Sequence, residues 1–172
     1  DELSALSRTN YNTFGDLIKF GVMPDGHPAG VEVFMYFWTK LFGNSEIIVK
    51  LPFLLCGIGS LILIYLIARL WFNKNTALFS LSLISVMQYH ITFSLIARPY
   101  ITGLFFSLLL VWFWTKFIFT QKKPYLYISG FVISGALCAY NHYFSLLFLI
   151  IVGLSGLFFI KKSKLLLYVL AG

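Results

Sequence analysis

From Leu51 onward the chain consists of long apolar runs, and the charged residues that separate these runs are all basic. All six acidic residues lie within the first 46 positions, and the whole chain is 59% hydrophobic but only 11% charged. Soluble domains average about 25% charged residues, so this chain has too little polar surface to stay dissolved in water. The sequence therefore predicts an all-α, polytopic membrane helix bundle preceded by a polar, acid-bearing segment.

The uncharged runs predict where the chain crosses the bilayer, because a span needs about 17–25 apolar residues. Runs of 18, 23 and 17 residues each predict one span, and they lie between Lys50 and Arg69, between Lys74 and Arg98, and between Arg98 and Lys116. The next run, of 37 residues, lies between Lys123 and Lys161 and would make a helix of about 55 Å, too long for one span. We divide it at Asn141-His142-Tyr143, which predicts a bundle at 47–172 with five spans and a truncated sixth.

Prolines fall at the beginning of three apolar runs, at Pro52, Pro99 and Pro124. The first turn of a helix tolerates proline because its N–H has no partner in the helix. These positions therefore predict helix starts.

The basic residues predict the orientation of the bundle, because cytoplasmic connections of membrane proteins are enriched in lysine and arginine. Three connections are basic, at 69–74, 116–123 and 161–164, and they alternate with the connections at Arg98 and at Asn141-His142. Five spans place the three basic connections together in the cytoplasm. The other two connections and residues 1–46 are then extracytoplasmic.

Residues 1–46 are predicted to form an extracytoplasmic loop with two short juxtamembrane helices, at about 3–20 and 27–42. In the second helix Glu32, Tyr36 and Lys40 recur every four residues, so they form one polar stripe on an otherwise apolar surface. Such a helix lies in the membrane interface. If it crossed the bilayer instead, every lysine-rich connection would face outside, against the charge rule.

The candidate site residues are polar groups on the predicted extracytoplasmic side. Asp1 and Glu2 could deprotonate an acceptor hydroxyl or bind a cation, although solvated loop acids are the alternative. The planar fork of Arg98 suits a phosphate or carboxylate, with an arginine that snorkels to the interface as the alternative.

The three histidines lack any short metal-ligand spacing, so no metal site is predicted. His142 could donate a hydrogen bond to a phosphate or shuttle a proton, or it could serve as an interfacial anchor. His27 is ambiguous in the same way. His90 lies deeper in a span, where a structural hydrogen bond is expected.

The order of several short motifs resembles one known class of enzyme. These are Asp1-Glu2 opening a loop, His27-Pro28 before an aromatic-rich helix, Lys50-Leu51-Pro52, Ala97-Arg98-Pro99-Tyr100 and Asn141-His142-Tyr143-Phe144. The chain resembles the membrane glycosyltransferases of the GT-C class. The resemblance is closest to the bacterial family 39 branch, which is related to protein O-mannosyltransferases, aminoarabinose transferases and the galacturonosyltransferases of lipopolysaccharide.

The resemblance implies an extracytoplasmic enzyme that uses a polyprenyl-phosphate sugar. It implies a first span upstream of Asp1 and a C-terminal region beyond Gly172. It assigns catalysis to Asp1 with Glu2, and binding of the donor phosphate or substrate to His27, Arg98, Tyr100, His142 and Tyr143. Two positions depart from the family pattern, because Ile96 replaces a glutamate that many relatives carry and Asn141 replaces a threonine.

We therefore expect a hexosyl-, pentosyl- or uronosyltransferase of the bacterial inner membrane. Its expected partners are a polyprenyl-phosphate-linked sugar, membrane lipids and an acceptor glycan, lipid or protein, and not nucleic acid. No cofactor is assigned, and a divalent cation is left open. A transporter or a lipid-linked-sugar flippase is the alternative, and an inactive membrane scaffold is a third hypothesis.

Overall fold

A computed structural model of the chain describes residues 11–24, 26, 28–120 and 122–171. This described part contains helices and no strand. The helices are α1 (Phe14–Asp16), which continues directly as a π-helix (Leu17–Val22), α2 (Gly30–Phe42), α3 (Glu46–Trp71), α4 (Lys74–Ser85), α5 (Gln88–Ser94), α6 (Pro99–Phe119), α7 (Pro124–Asn141), α8 (Tyr143–Phe159) and α9 (Lys162–Ala171).

Helix α6 is central to the bundle and contacts α3, α5, α7 and α8. At one end of the bundle the indole Nε1 of Trp71 donates to Thr115 Oγ1 at 3.2 Å, so α3 and α6 finish side by side. At the other end Asn141 Nδ2 donates to the carbonyl oxygen of Pro99 at 2.8 Å, so α7 finishes where α6 begins. We call the first the lysine end, because the connections 69–74, 116–123 and 161–164 lie there, and the second the site end.

Two helices of the described part, α3 with 26 residues and α6 with 21, are long and apolar enough to cross a membrane. The pair α4 and α5 makes a third if the two cross together, and α8 is a shorter apolar helix. The predicted division of the longest run is observed, since α7 ends at Asn141 and α8 begins at Tyr143. The described part of the chain is thus helical and contains two or three candidate spans, and the count of five spans stays a prediction.

The predicted span between Lys74 and Arg98 is not one straight helix. It breaks between Ser85 and Gln88, where the axes of α4 and α5 differ by 62°. After the break, His90 is only 6% exposed and its Nε2 lies 3.1 Å from the carbonyl oxygen of Gly57 on α3. The interior position and the structural hydrogen bond predicted for His90 are thus confirmed, whereas apolar content alone gave no sign of the bend.

The proline positions predicted two helix starts of three. Pro99 and Pro124 each lie in the first turn of their helix, α6 and α7. Pro52 instead lies inside α3, which begins six residues earlier at Glu46. Lys50 Nζ donates to Glu46 Oε1 at 2.6 Å, and such an i,i+4 pair stabilises the additional turns.

Each predicted juxtamembrane segment contains helical structure. In the described part of the first segment the helical residues begin at Phe14 and end at Val22. The aromatic ring of Phe14 lies 5.6 Å from that of Phe37, which joins this first helical stretch to α2. Met35 of α2 packs into a buried apolar cluster with Val49 and Phe53 of α3. Helix α2 is thereby attached to the site end of the bundle.

Lys164 ties α9 to the lysine end of α6. Its buried ammonium group donates to the carbonyl oxygens of Phe117 at 2.5 Å and of Thr120 at 2.6 Å. The last carbonyls of a helix lack partners within it, so a cation there satisfies them and interacts favourably with the helix dipole.

Replacing Lys164 by methionine is therefore expected to lower the free energy of unfolding by about 1.5–3 kcal/mol, the usual value of charge-assisted hydrogen bonds. Thermal unfolding of the full-length protein in detergent measures the change. Lys161→Met is the control, because Lys161 is exposed. Equal melting temperatures for the two variants would contradict the capping role of Lys164.

Candidate functional site

A cavity of about 580 Å³ opens at the site end between α5, α6 and α8. Tyr100, His142 and Ser145 line it near the helix ends, and Leu108, Val111 and Phe148 line it further along the bundle. Its wall follows α6 from Pro99 to Val111, which corresponds to about 18 Å along the helix axis. The cavity is therefore polar near the helix ends and, apart from Ser107, apolar further along the bundle.

His142 lies at the corner between α7 and α8 and caps α8. Its backbone is extended, with φ −161°, and its Nδ1 accepts a hydrogen bond from the backbone N–H of Phe144 at 3.2 Å. The imidazole ring stacks on the Phe144 ring, with 5.3 Å between centroids and 12° between planes. Since Nδ1 is an acceptor, the hydrogen-bond network assigns the proton of the neutral ring to Nε2. His142 can thus offer a ligand an N–H donor.

Arg98 directly precedes α6, which it enters with extended backbone at φ −137°. Its neighbour Ala97 is buried with Ile101 in the same apolar cluster that holds α2 on α3. Arg98 itself is half-buried, and its backbone directly precedes the N-terminus of a 21-residue helix. An arginine and the positive end of a helix dipole both attract an anion.

The two candidate tyrosines have different surroundings. Tyr100 lines the cavity, and its ring lies 4.5 Å from that of Phe93 on α5. Tyr143 instead donates from its hydroxyl to the carbonyl oxygen of Gly26 at 2.7 Å. Tyr143 thus connects α8 to the loop that also carries His27.

The structure brings together Tyr100 and His142 in one cavity and places Arg98 at the same end of the bundle. The remaining candidates, Asp1, Glu2 and His27, lie outside the described residues. Within the described residues no three His, Cys, Asp or Glu side chains form a group that could hold a metal ion.

Sequence reasoning missed several polar residues at this end of the bundle. Asn141 is only 3% exposed and joins α7 to α6, accepting from Thr102 Oγ1 at 2.7 Å and donating to Pro99. Ser107 and Ser145 line the cavity wall. Thr102 lies one helical turn after Pro99, so a search for polar residues facing the same way as the candidate motif could have found it.

The described residues form a helical bundle that has helices apolar enough to cross a membrane and a cavity at one end. The chain belongs to the dolichyl-phosphate-mannose-protein mannosyltransferase family, which matches residues 26–171. The resemblance to this family of membrane glycosyltransferases, found in the sequence, is thereby confirmed.

A similar protein occurs in Aquifex aeolicus (strain VF5), where it is described only as an uncharacterized protein. It is 32% identical to this chain over 97 residues, which cover 56% of the chain and 19% of that protein. The matched region is thus a small part of the relative's length. No solved structure is significantly similar to the chain.

Proposed function

We propose that the full-length protein transfers a sugar from a polyprenyl-phosphate donor to a lipid, glycan or protein acceptor on the extracytoplasmic side of the membrane. The observation that carries this proposal is the cavity that begins at Pro99, the residue after Arg98, and that is polar near Tyr100 and His142 and mostly apolar down to Val111. A polyprenyl-phosphate sugar has the same distribution, with one charged head and a long apolar tail. Membership in the mannosyltransferase family supports this type of donor.

In the proposed reaction the donor phosphate binds to Arg98 at the N-terminus of α6, and the Nε2–H of His142 donates to one of its oxygens. The Asp1 carboxylate accepts the proton of the acceptor hydroxyl, whose oxygen attacks the anomeric carbon. The bond between that carbon and the phosphate oxygen breaks, with inversion, and polyprenyl phosphate leaves with the electron pair. Arginine and the helix dipole stabilise the negative charge that develops on this phosphate.

The alternative is a transporter or flippase, and the bent pair α4 and α5 is the observation in its favour. Transporters place broken helices and ionisable residues at their binding sites near the bilayer midplane. Here the ionisable residue after the break, His90, is hydrogen-bonded to Gly57 O of α3, so it serves the packing of α5 on α3. The described candidates Arg98, Tyr100 and His142 instead lie at the end of the bundle, which favours the transferase.

A reconstitution experiment with the full-length protein separates the two functions. We expect radiolabelled sugar from a panel of polyprenyl-phosphate sugars, including the mannosyl form, to become covalently attached to envelope acceptors. Nucleotide sugars serve as the control donors and are expected to remain unused. Movement of the lipid-linked sugar across the proteoliposome membrane without any covalent product would contradict the transferase and support the flippase.

A further inference from the structure

We propose that Thr102 and Asn141 are positioning residues that hold the polar end of the cavity in its working geometry. The inference rests on the proposed function, because it concerns the same donor site. In this proposal the two side chains set the distance between Tyr100 on α6 and His142 at the corner between α7 and α8.

The side-chain amide of Asn141 forms hydrogen bonds through both its oxygen and its nitrogen. Its oxygen accepts from Thr102 Oγ1 at 2.7 Å, and its nitrogen donates to the carbonyl oxygen of Pro99 at 2.8 Å. Asn141 is 3% exposed and Thr102 7%, so the bond between their side chains is shielded from water, and the bond to Pro99 is partly buried. A buried amide with both ends satisfied specifies one arrangement of its neighbours, since any other would leave polar groups unpaired.

The two hydrogen bonds join the start of α6 to the end of α7, and candidate site residues lie next to both of these positions. Pro99 lies between Arg98 and Tyr100, and Asn141 directly precedes His142. The hydrogen bond from Asn141 to Pro99 therefore sets how far the start of α6 lies from the corner between α7 and α8. In an active site a misplacement of about 1 Å can cost a hundredfold in rate.

Gly103 permits this close approach. A Cβ atom at position 103 would lie 2.9 Å from Asn141 Nδ2, closer than Cβ atoms approach, and 3.0 Å from Ser145 Oγ, tighter than most Cβ contacts. The absence of a side chain on that face of α6 lets the amide of Asn141 reach Pro99. Three elements of the sequence thus serve one contact: the glycine, the threonine before it and the asparagine that ends α7.

The sharpest variant is Thr102→Val, which keeps the shape of the side chain but removes the hydroxyl that binds Asn141. Thr102→Ser keeps the hydroxyl. The matched control is Ser134→Ala on α7, because Ser134 is also buried but its hydroxyl donates to carbonyls of its own helix, Gly130 at 2.7 Å and Phe131 at 3.0 Å. The three variants, made in the full-length protein, separate loss of a helix–helix bond from loss of a buried hydroxyl.

Two measurements are needed for each variant: kcat and KM for the polyprenyl-phosphate donor, and amide hydrogen exchange at the first turn of α6 and at the α7–α8 corner. We expect Thr102→Val to lower kcat about tenfold to a hundredfold and to speed exchange at both places. Thr102→Ser should restore both values to those of the wild type, and Ser134→Ala should leave both unchanged.

A folded Thr102→Val variant with wild-type kcat, or with unchanged exchange at both places, would overturn the inference. Equal losses in Thr102→Val and Ser134→Ala would also overturn it, because burial of a hydroxyl would then explain the effect. The exchange measurement needs no transfer assay, so a wild type that transfers no sugar counts against the proposed function alone.

Discussion

Replacing Arg98 by alanine in the full-length protein is expected to reduce sugar transfer by about 10²–10³-fold, the usual loss when one group that stabilises transition-state charge is removed. Arg98 lies directly before Pro99 at the positive end of α6, and negative charge accumulates on the donor phosphate as it leaves. Most of the loss should appear in kcat, because the leaving phosphate carries more charge in the transition state than in the bound donor. Initial rates at saturating donor measure the effect.

Two further arginine variants show whether the guanidinium group itself is responsible. Arg98→Lys keeps the positive charge but lacks the planar fork that binds two phosphate oxygens at once, so an intermediate rate is expected. Arg69→Ala is the matched control, since Arg69 is exposed in the last turn of α3 at the lysine end. Transfer that survives unchanged in Arg98→Ala, at wild-type protein levels, would remove Arg98 from the proposed site.

Replacing Gly30 by alanine is expected to destabilise the attachment of α2 by about 1–3 kcal/mol, the usual cost of overpacking a close contact. A Cβ atom at position 30 would meet the backbone carbonyl of Tyr140, with the carbonyl carbon at 2.9 Å. A backbone group cannot rotate away as a side chain can, so α2 must move off the end of α7. Thermal unfolding in detergent and limited proteolysis of the loop before α2 measure the change.

Gly153→Ala is the control for this variant, because a Cβ atom at position 153 of α8 would meet nothing within 4 Å. Alanine favours helix over glycine by about 0.5–1 kcal/mol, so this control should be neutral or slightly stabilising. If Gly30→Ala unfolds at the same temperature as Gly153→Ala and resists protease equally, α2 does not depend on the contact with Tyr140.

Some features of the fold and of the candidate site could be predicted from the sequence, and others could not. The division at Asn141-His142-Tyr143 could be predicted because a polar cluster in the middle of a 37-residue apolar run is costly inside a bilayer. The motif around Arg98 and Tyr100 was recognised by resemblance. The bend before His90 could not be predicted in this way, because the apolar run continues through it and the hydrogen bond that His90 then makes is to Gly57 on another helix.

By itself the sequence determined that the chain is helical and membrane-bound, and it indicated the family, because apolar run lengths, charge positions and short motifs are local properties. Only the tertiary structure decided that Tyr100 and His142 line one cavity, that Tyr143 contacts Gly26, and that Asn141 joins α7 to α6. Those contacts link residues about 40 to 120 positions apart, and their distances follow from helix packing, which no local pattern specifies. The roles of Asp1, Glu2 and His27 stay predictions from the sequence.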